Sequence, residues 1–307
     1  MKKVAVFGSF VVDLMARAPH LPVPGETVRG SLFRQGAGGK GFNQGVAARK
    51  AGADVAMITK LGRDSLAQVA LQVMEEIGLS KEHLFYHEEI PTGTALIFVD
   101  ENSSQNEIII VPGACSTITE ADIASVEETI KSSDYLLLQL EVNQDANERV
   151  AKLAKEHGVR VILNTAPYQP MSDEFLNGAF LVTPNEVEAE EMTGIAIRDL
   201  ESADRAAQIL LDKGVENVLI TLGGRGVYLR TAEGSEIIPA YRVAALDTTG
   251  AGDAFNGGLL AALSEGKSLK EACRFANALA ALSVQRLGTT ASMPWREEID
   301  AFLAAQV

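Results

Sequence analysis

Short, almost wholly apolar stretches recur along this chain, each followed by a longer segment of helical period, and that rhythm leaves few folds open. Tyr135–Leu140 is apolar at nearly every position, as a strand covered on both faces must be. Gln144–His157 then reads as a helix ended by Gly158, and Val159–Leu163 returns as a strand. The same step recurs elsewhere: Val4–Gly8 is a first strand, Asp54–Leu61 a second followed by a helix over Asp64–Ile77, and Phe180–Val182 precedes a helix over Glu186–Met192. Val218–Leu222 is a further apolar strand leading into Gly223-Gly224-Arg225-Gly226. This alternation predicts an α/β fold, a doubly wound, mostly parallel sheet flanked by helices. Helices over Ala254–Ser264, Ser268–Arg286 and Trp295–Ala305 are expected to close the chain. The expected organisation is one large domain over residues 1–307.

Two regions break the rhythm. Pro19–Gln35 is rich in Pro, Gly and β-formers, while Thr94–Asp100 and Ile108–Val111 flank the polar turn Glu101–Glu107. These read as antiparallel strands outside the main sheet, a small β-lid formed by about residues 14–36 and 92–112. Such a sheet can cover a pocket edge, or pair through its exposed edges with a second subunit.

A formal net charge of −14 argues against a nucleic-acid partner, which needs a basic face. Cys115 and Cys273 stand far apart in unrelated contexts, which suits neither a disulfide framework nor a zinc site and fits a reducing cytoplasm. The apolar run after Met1-Lys2-Lys3 is too short for a signal peptide, and no window reaches the ~20 apolar residues of a membrane helix. His20, His83, His87 and His157 show no metal-ligand spacing, and Gly-x-Ser-x-Gly is absent.

The sharpest local signal is Asp247-Thr248-Thr249-Gly250-Ala251-Gly252-Asp253-Ala254-Phe255. Small residues let the backbone approach a ligand, and a helix starting there would aim unpaired N–H groups at an anion. Asp253 could take the proton of an attacking hydroxyl, or simply cap the helix. A second glycine-rich stretch, Gly36-Ala37-Gly38-Gly39-Lys40-Gly41-Phe42-Asn43-Gln44, formally matches the dinucleotide pattern G-x-G-x-x-G in a poor context and fails the Walker pattern. It offers one cation and one amide to a polyol. Asn185 and Glu188, after Phe180–Val182, share a helical face. They read either as a capping box or as a carboxylate that meets nucleotide phosphate through Mg²⁺. Asp13, after Gly8-Ser9-Phe10-Val11-Val12, and Glu141, after Leu140, are acids delivered by strand ends.

Together these segments resemble the ribokinase-type (PfkB) carbohydrate kinase family. Its two signatures appear in order, as Gly38–Asn43 and Asp247–Asp253, and the likeness runs from Gly8-Ser9 to Pro294–Asp300. The resemblance implies an ATP-dependent sugar kinase that phosphorylates the terminal 5-hydroxyl of a pentose. Asp253 then corresponds to the catalytic base, and Gly250, Ala251 and Gly252 to the anion hole. Val11, Asp13, Gly39, Lys40, Gly41, Asn43 and Glu141 fall at sugar-binding positions. Asn185, Thr221, Gly223, Gly226, Gly252 and Asn277 fall at ATP-binding positions, and Glu188 at the acid linked through water to Mg²⁺. Asp247, Thr249, Ser283, Arg286, Gly288 and Ser292 match positions around an activating K⁺, several through backbone carbonyls. The family also implies a homodimer formed through the lid.

One departure bears on the sugar. Ribokinases usually carry Asn two residues before the sugar-binding acid, where this chain has Val11. Valine cannot bond a hydroxyl, and a buried hydroxyl without a partner costs about 1–3 kcal/mol. The substitution favours 2-deoxyribose over ribose, and Val11–Leu14 with Asn102-Ser103-Ser104 is similar to deoxyribose-phosphorylating relatives. Alternative readings are a kinase for fructose, another ketose or a nucleoside, a non-catalytic sugar- and nucleotide-binding protein, and a dinucleotide-dependent oxidoreductase.

Overall fold

The computed structural model describes residues 2–103 and 105–306, so Ser104 lies outside the described residues. Within them the strands run, in chain order, as β1 (Lys3–Phe7), β2 (Val11–Ala18), β3 (Leu32–Gly38), β4 (Asp54–Gly62), β5 (Leu84–His87), β6 (Thr92–Asp100), β7 (Asn106–Gly113), β8 (Tyr135–Leu138), β9 (Arg160–Leu163), β10 (Leu181–Val182), β11 (Val218–Thr221), β12 (Val227–Thr231) and β13 (Gly234–Ile238).

Nine of these strands form one sheet in the order β13-β12-β11-β10-β9-β8-β1-β4-β5. It is parallel except for the terminal β11–β12 and β12–β13 pairs. The apolar runs occupy its centre. All four residues of β8 and the four following Lys3 in β1 are buried, as strands covered on both faces require. From β1 the chain moves outward to β4 on one side and later to β8 on the other. The β1–β8 boundary is therefore the switch point, where a doubly wound sheet opens a crevice at its carboxyl edge.

A second, four-stranded sheet runs β3-β2-β6-β7. Here the structure corrects two expectations. Pro19–Gln35 is not strand along its length, because Pro19–Ser31, with its prolines and glycines, is irregular and only β3 pairs. Its partner is Val11–Ala18, and β2 pairs parallel, not antiparallel, with β6. The chain can arrange this because β6 enters from the main sheet's side after β5, not through a hairpin.

Two helices position the site. Lys40–Lys50 follows β3 directly, and Ala251–Ser264 is apolar and buried along nearly its whole length. They pack closely because Gly257 has no side chain: a Cβ there would lie 2.5 Å from both the Ala47 Cβ and the Gln44 carbonyl oxygen. The absent methyl brings the first turns of the two helices together.

Gly257→Ala should therefore destabilise the fold by about 1–3 kcal/mol through overpacking, read as a lowered urea midpoint with an unchanged slope. Unchanged stability would mean the two helices can separate at no cost.

Candidate active site

Polar side chains collect at the carboxyl edge of the parallel strands. Ser9 follows β1, Gln139 and Glu141 follow β8, Asn164 and Thr165 follow β9, and Thr183 and Asn185 follow β10. The switch point itself is bridged: the Ser9 hydroxyl donates to Glu141 Oε2 at 2.5 Å. The same carboxylate oxygen accepts the Lys40 backbone N–H at 2.8 Å. Glu141 thus ties the start of helix Lys40–Lys50 to the strand edge.

Asp253 is the third residue of helix Ala251–Ser264, and it does not cap it. The cap position is Gly250, in the left-handed conformation (φ 75°), and no side chain bonds the first-turn N–H groups. The Ala251 N–H bonds the Thr248 carbonyl at 3.2 Å, while the Gly252 and Asp253 N–H groups at the positive end of the helix have the character that suits an anion. The Asp253 carboxylate turns instead toward the other helix. Asn43 Nδ2 donates to its Oδ2 and Gln44 Nε2 to its Oδ1, each at 2.9 Å. Asp253 is 6% exposed and Asn43 4%. Asn43 Oδ1 is buried and accepts no hydrogen bond among the described residues, an acceptor left open toward whatever donor enters the site.

Asp13 reaches the site from β2, where it sits opposite Gly36. Gly38 makes room for it, since a Cβ there would lie 2.2 Å from Asp13 Oδ1. Thr289 donates to Asp13 Oδ2 at 3.2 Å and to the Ala37 carbonyl at 2.9 Å. Burial pushes the Asp13 carboxyl up to about 6; the Thr289 hydrogen bond opposes this, and the charges of Glu141 and Asp253 add to it. Lys40 supplies the counter-charge. Burial pulls its ammonium down, but Asp253, Glu141 and Glu188 outweigh that and hold it above its ordinary value. Asp13, Lys40, Glu141 and Asp253 therefore share one electrostatic neighbourhood, with Asn43 bonded to Asp253.

Next to it lies a cleft of about 450 Å³, lined by Thr221, Gly223, Gly226, Ala251, Gly252, Phe255 and Asn277 among others. Its walls are largely apolar, with Val227, Ala280, Ala281 and Val284 facing in. A flat base suits such a slot, with phosphates turned toward the helix start at Ala251-Gly252. Of the expected nucleotide positions, five line this cleft. Asn185 does not, but it forms a parallel bridge with Thr221 at the cleft's edge.

Asn185 and Glu188 form a complete capping box. Glu188 N–H donates to Asn185 Oδ1 and Asn185 N–H to Glu188 Oε2, both at 2.9 Å. Thr165 also donates to Glu188, at 3.3 Å. Burial pushes the Glu188 carboxyl up, against the hydrogen bond from Asn185 and the charge of Lys40. Asn185 Nδ2 donates to the other Glu188 carboxylate oxygen, Oε1, at 2.8 Å, so the structure shows the capping role.

The residues matched to a cation divide. Asp247 accepts Thr249 N–H and Gly288 N–H at 2.9 Å each, joining two loops beside the helix start. Burial works against its charge, yet those donors hold its carboxyl below the usual range. Ser283 is adjacent, its carbonyl taking the Arg286 N–H while Asp247 N–H bonds the Val284 carbonyl. The Arg286 guanidinium is engaged by Glu298, and Ser292 bonds the Thr289 carbonyl.

Residues 1–296 match the pfkB family of carbohydrate kinases. This chain belongs to that family. It is 43% identical over 302 residues to a ribokinase of Haemophilus influenzae, covering 98% of each chain. It is 36% identical to a deoxyribokinase of Salmonella typhi, again over 98% of each. The structure of Arabidopsis thaliana ribokinase complexed with ribose and ATP superposes with a TM-score of 0.92 at 31% identity, covering 98% of both chains. Family membership removes the oxidoreductase reading: the chain is a phosphotransferase acting on an alcohol group.

Three site residues escaped the sequence reading: Gln44, Gln139 and Thr289. Gln139 carried a signal, a lone amide inside the apolar run Tyr135–Leu140.

The raised Asp13 value has a consequence for stability. Between 3.8 and about 6 the folded chain binds this proton more tightly than the unfolded chain. Stability from this group therefore falls as pH rises through that window. Asp13→Asn should gain in Tm relative to the parent chain as pH goes from 4 to 7. A Tm difference that stays flat with pH would mean Asp13 titrates as in an unfolded chain.

Proposed function

We propose that this chain transfers the terminal phosphoryl group of ATP to the 5-hydroxyl of ribose or 2-deoxyribose, in the cytoplasm. The observation that carries the reading is the placement of Asp253. Its carboxylate faces the Asp13, Lys40 and Glu141 cluster, while its helix presents uncapped N–H groups to the nucleotide cleft. The sugar binds at that cluster, with Asp13 and Glu141 accepting hydroxyl protons and Asn43 Oδ1 accepting another. Asp253 takes the proton of the 5-hydroxyl as that oxygen attacks. The N–H groups of Gly252 and its neighbours meet the charge that builds on the transferring phosphoryl oxygens.

Two cations accompany this reading. Among the described residues no cluster of three or more His, Cys, Asp or Glu could hold a metal. Mg²⁺ would therefore sit mainly on ATP oxygens and water, with Glu188 behind the water. The Asp247 carboxylate and the oxygens of Thr249, Ser283, Arg286, Gly288 and Ser292 are hard donors with one net charge, which suits K⁺. Bound there, such an ion adds positive charge beside the anion hole.

Val11 favours the deoxy sugar. It lies two residues before Asp13 on β2, so the two share a face, and it is buried and apolar. A 2-hydroxyl facing it would lose about 1–3 kcal/mol, roughly 5- to 150-fold in kcat/KM.

The four-stranded sheet acts as a lid, and a second copy of the chain covers its outer part. Ile108, Ile109, Ile110 and Val111 on the edge strand β7 are each about half exposed, and Phe33 on β3 is 64% exposed. Such a run on a free edge is an aggregation hazard unless paired. Sedimentation should show a dimer that Ile109→Asp converts to monomer. A parent chain that is monomeric at micromolar concentration would remove this part.

For the reaction itself, ADP release should be measured over ribose, 2-deoxyribose and fructose, with and without K⁺. Deoxyribose is expected to lead ribose, and Asp253→Asn to lower kcat by about 10²–10⁴-fold while nucleotide still binds. Near-parental turnover of Asp253→Asn would remove it as the base, and a strong ribose preference would overturn the reading of Val11.

A further inference from the structure

We infer that Gln44 is a positioning residue for Asp253, aimed by Gln139, and that this pair of buried amides sets the orientation of the proposed base. The inference rests on the kinase reading above and assigns residues that reading leaves unused.

Gln44 is fully buried, and a buried amide must account for both its ends. Its Nε2 donates to Asp253 Oδ1 at 2.9 Å and to Asn164 Oδ1 at 3.0 Å. Its Oε1 accepts from Gln139 Nε2 at 2.7 Å. Gln139 is likewise fully buried, at the carboxyl end of the strand that borders the switch point. An amide can turn over and exchange its oxygen for its nitrogen. Turned over, Gln44 would set its oxygen against the Asp253 carboxylate and its NH₂ against the Gln139 NH₂. Both contacts are repulsive, so Asp253 and Gln139 together favour the orientation in which Gln44 donates, while Gln139 Oε1 has no partner among the described residues. Asn164 is itself held, donating from Nδ2 to the Thr183 carbonyl at 3.2 Å.

The two amides on Asp253 are not equivalent. Asn43 has its oxygen free for an incoming ligand, whereas both ends of Gln44 are committed to the protein interior. Asn43 can serve the sugar; Gln44 serves the carboxylate. An N–H donated to a carboxylate favours its ionised form, the form a base needs, and holds the second oxygen in a fixed direction. The charged groups facing Asp253 are Lys40 and Asp13.

The test is the pH profile of kcat at saturating sugar and ATP, where titration of Asp13 in the free protein drops out. The parent chain should show an acid limb reporting Asp253. Gln44→Leu should lower kcat about 10- to 100-fold, part of what a positioned base supplies. It should also move the acid limb upward by about half a unit or more, since the carboxylate loses a donor. KM for sugar and ATP should change less than about threefold. Gln139→Leu, which leaves Gln44 in place with one of its two orienting contacts gone, should shift the limb the same way by less. Should Gln44→Leu fail to fold, Gln44→Glu keeps the size and should move the limb further up, a second carboxylate then facing the first.

A limb that stays at the parental pH in folded variants overturns the inference, whatever happens to kcat. So does a loss confined to sugar KM, which would make Gln44 part of sugar binding. If the parent chain itself has no sugar kinase activity, the kinase reading fails first, and the two failures are distinct.

Discussion

Both oxygens of one buried carboxylate are held by amides from one neighbouring helical turn, and the rest of the site is arranged around that contact. Asn43 and Gln44 are adjacent on helix Lys40–Lys50, and Asp253 lies in the first turn of helix Ala251–Ser264. They can meet only because the helices approach to backbone distance at Gly257. The same approach sets the uncapped helix start beside the nucleotide cleft. One packing decision, a missing methyl, brings the proposed base within reach of the Asn43 and Gln44 amides on the neighbouring helix.

The electrostatics follow from crowding acids around a single cation. Asp13, Glu141, Glu188 and Asp253 all act on Lys40 or on one another. Burial raises the Asp13 carboxyl, and the charges of Glu141 and Asp253 add to it. That cost to stability is the usual exchange between a stable fold and a working site. The first two strands of the small sheet carry Asp13 and Gly38, so movement of that sheet would carry part of the sugar site with it.

Much of this was legible in the sequence. Tyr135–Leu140 announces a central strand because nearly every residue is apolar, and the glycines around Asp253 suit either close approach of a ligand or a turn into a helix. The limits were equally physical. Val11–Ala18 alternates poorly and carries Asp13 and Arg17, so the sequence shows an acid at a strand end and a lid starting near residue 14, whereas the segment is one strand paired along its whole length with β6. Pro19–Ser31 has β-formers but no partner, and strand formation depends on pairing more than on propensity. Asp253 could be proposed as a base or as a cap; only the third dimension shows Gly250 at the cap position and the carboxylate turned to the other helix. Gln44 is an ordinary amide in sequence and Gln139 shows only as a lone amide in an apolar run; what marks them in the structure is that they are wholly buried and face each other.

The most direct measurement is a crystal structure with 2-deoxyribose and a non-hydrolysable ATP analogue bound together. The account requires an Asp253 carboxylate oxygen within hydrogen-bond reach of the sugar's 5-oxygen, about 2.6–3.2 Å, with the terminal phosphate against the N–H groups of Gly252 and Asp253. A sugar seated away from Asp13 and Lys40, or a 5-oxygen beyond the reach of Asp253, would contradict it.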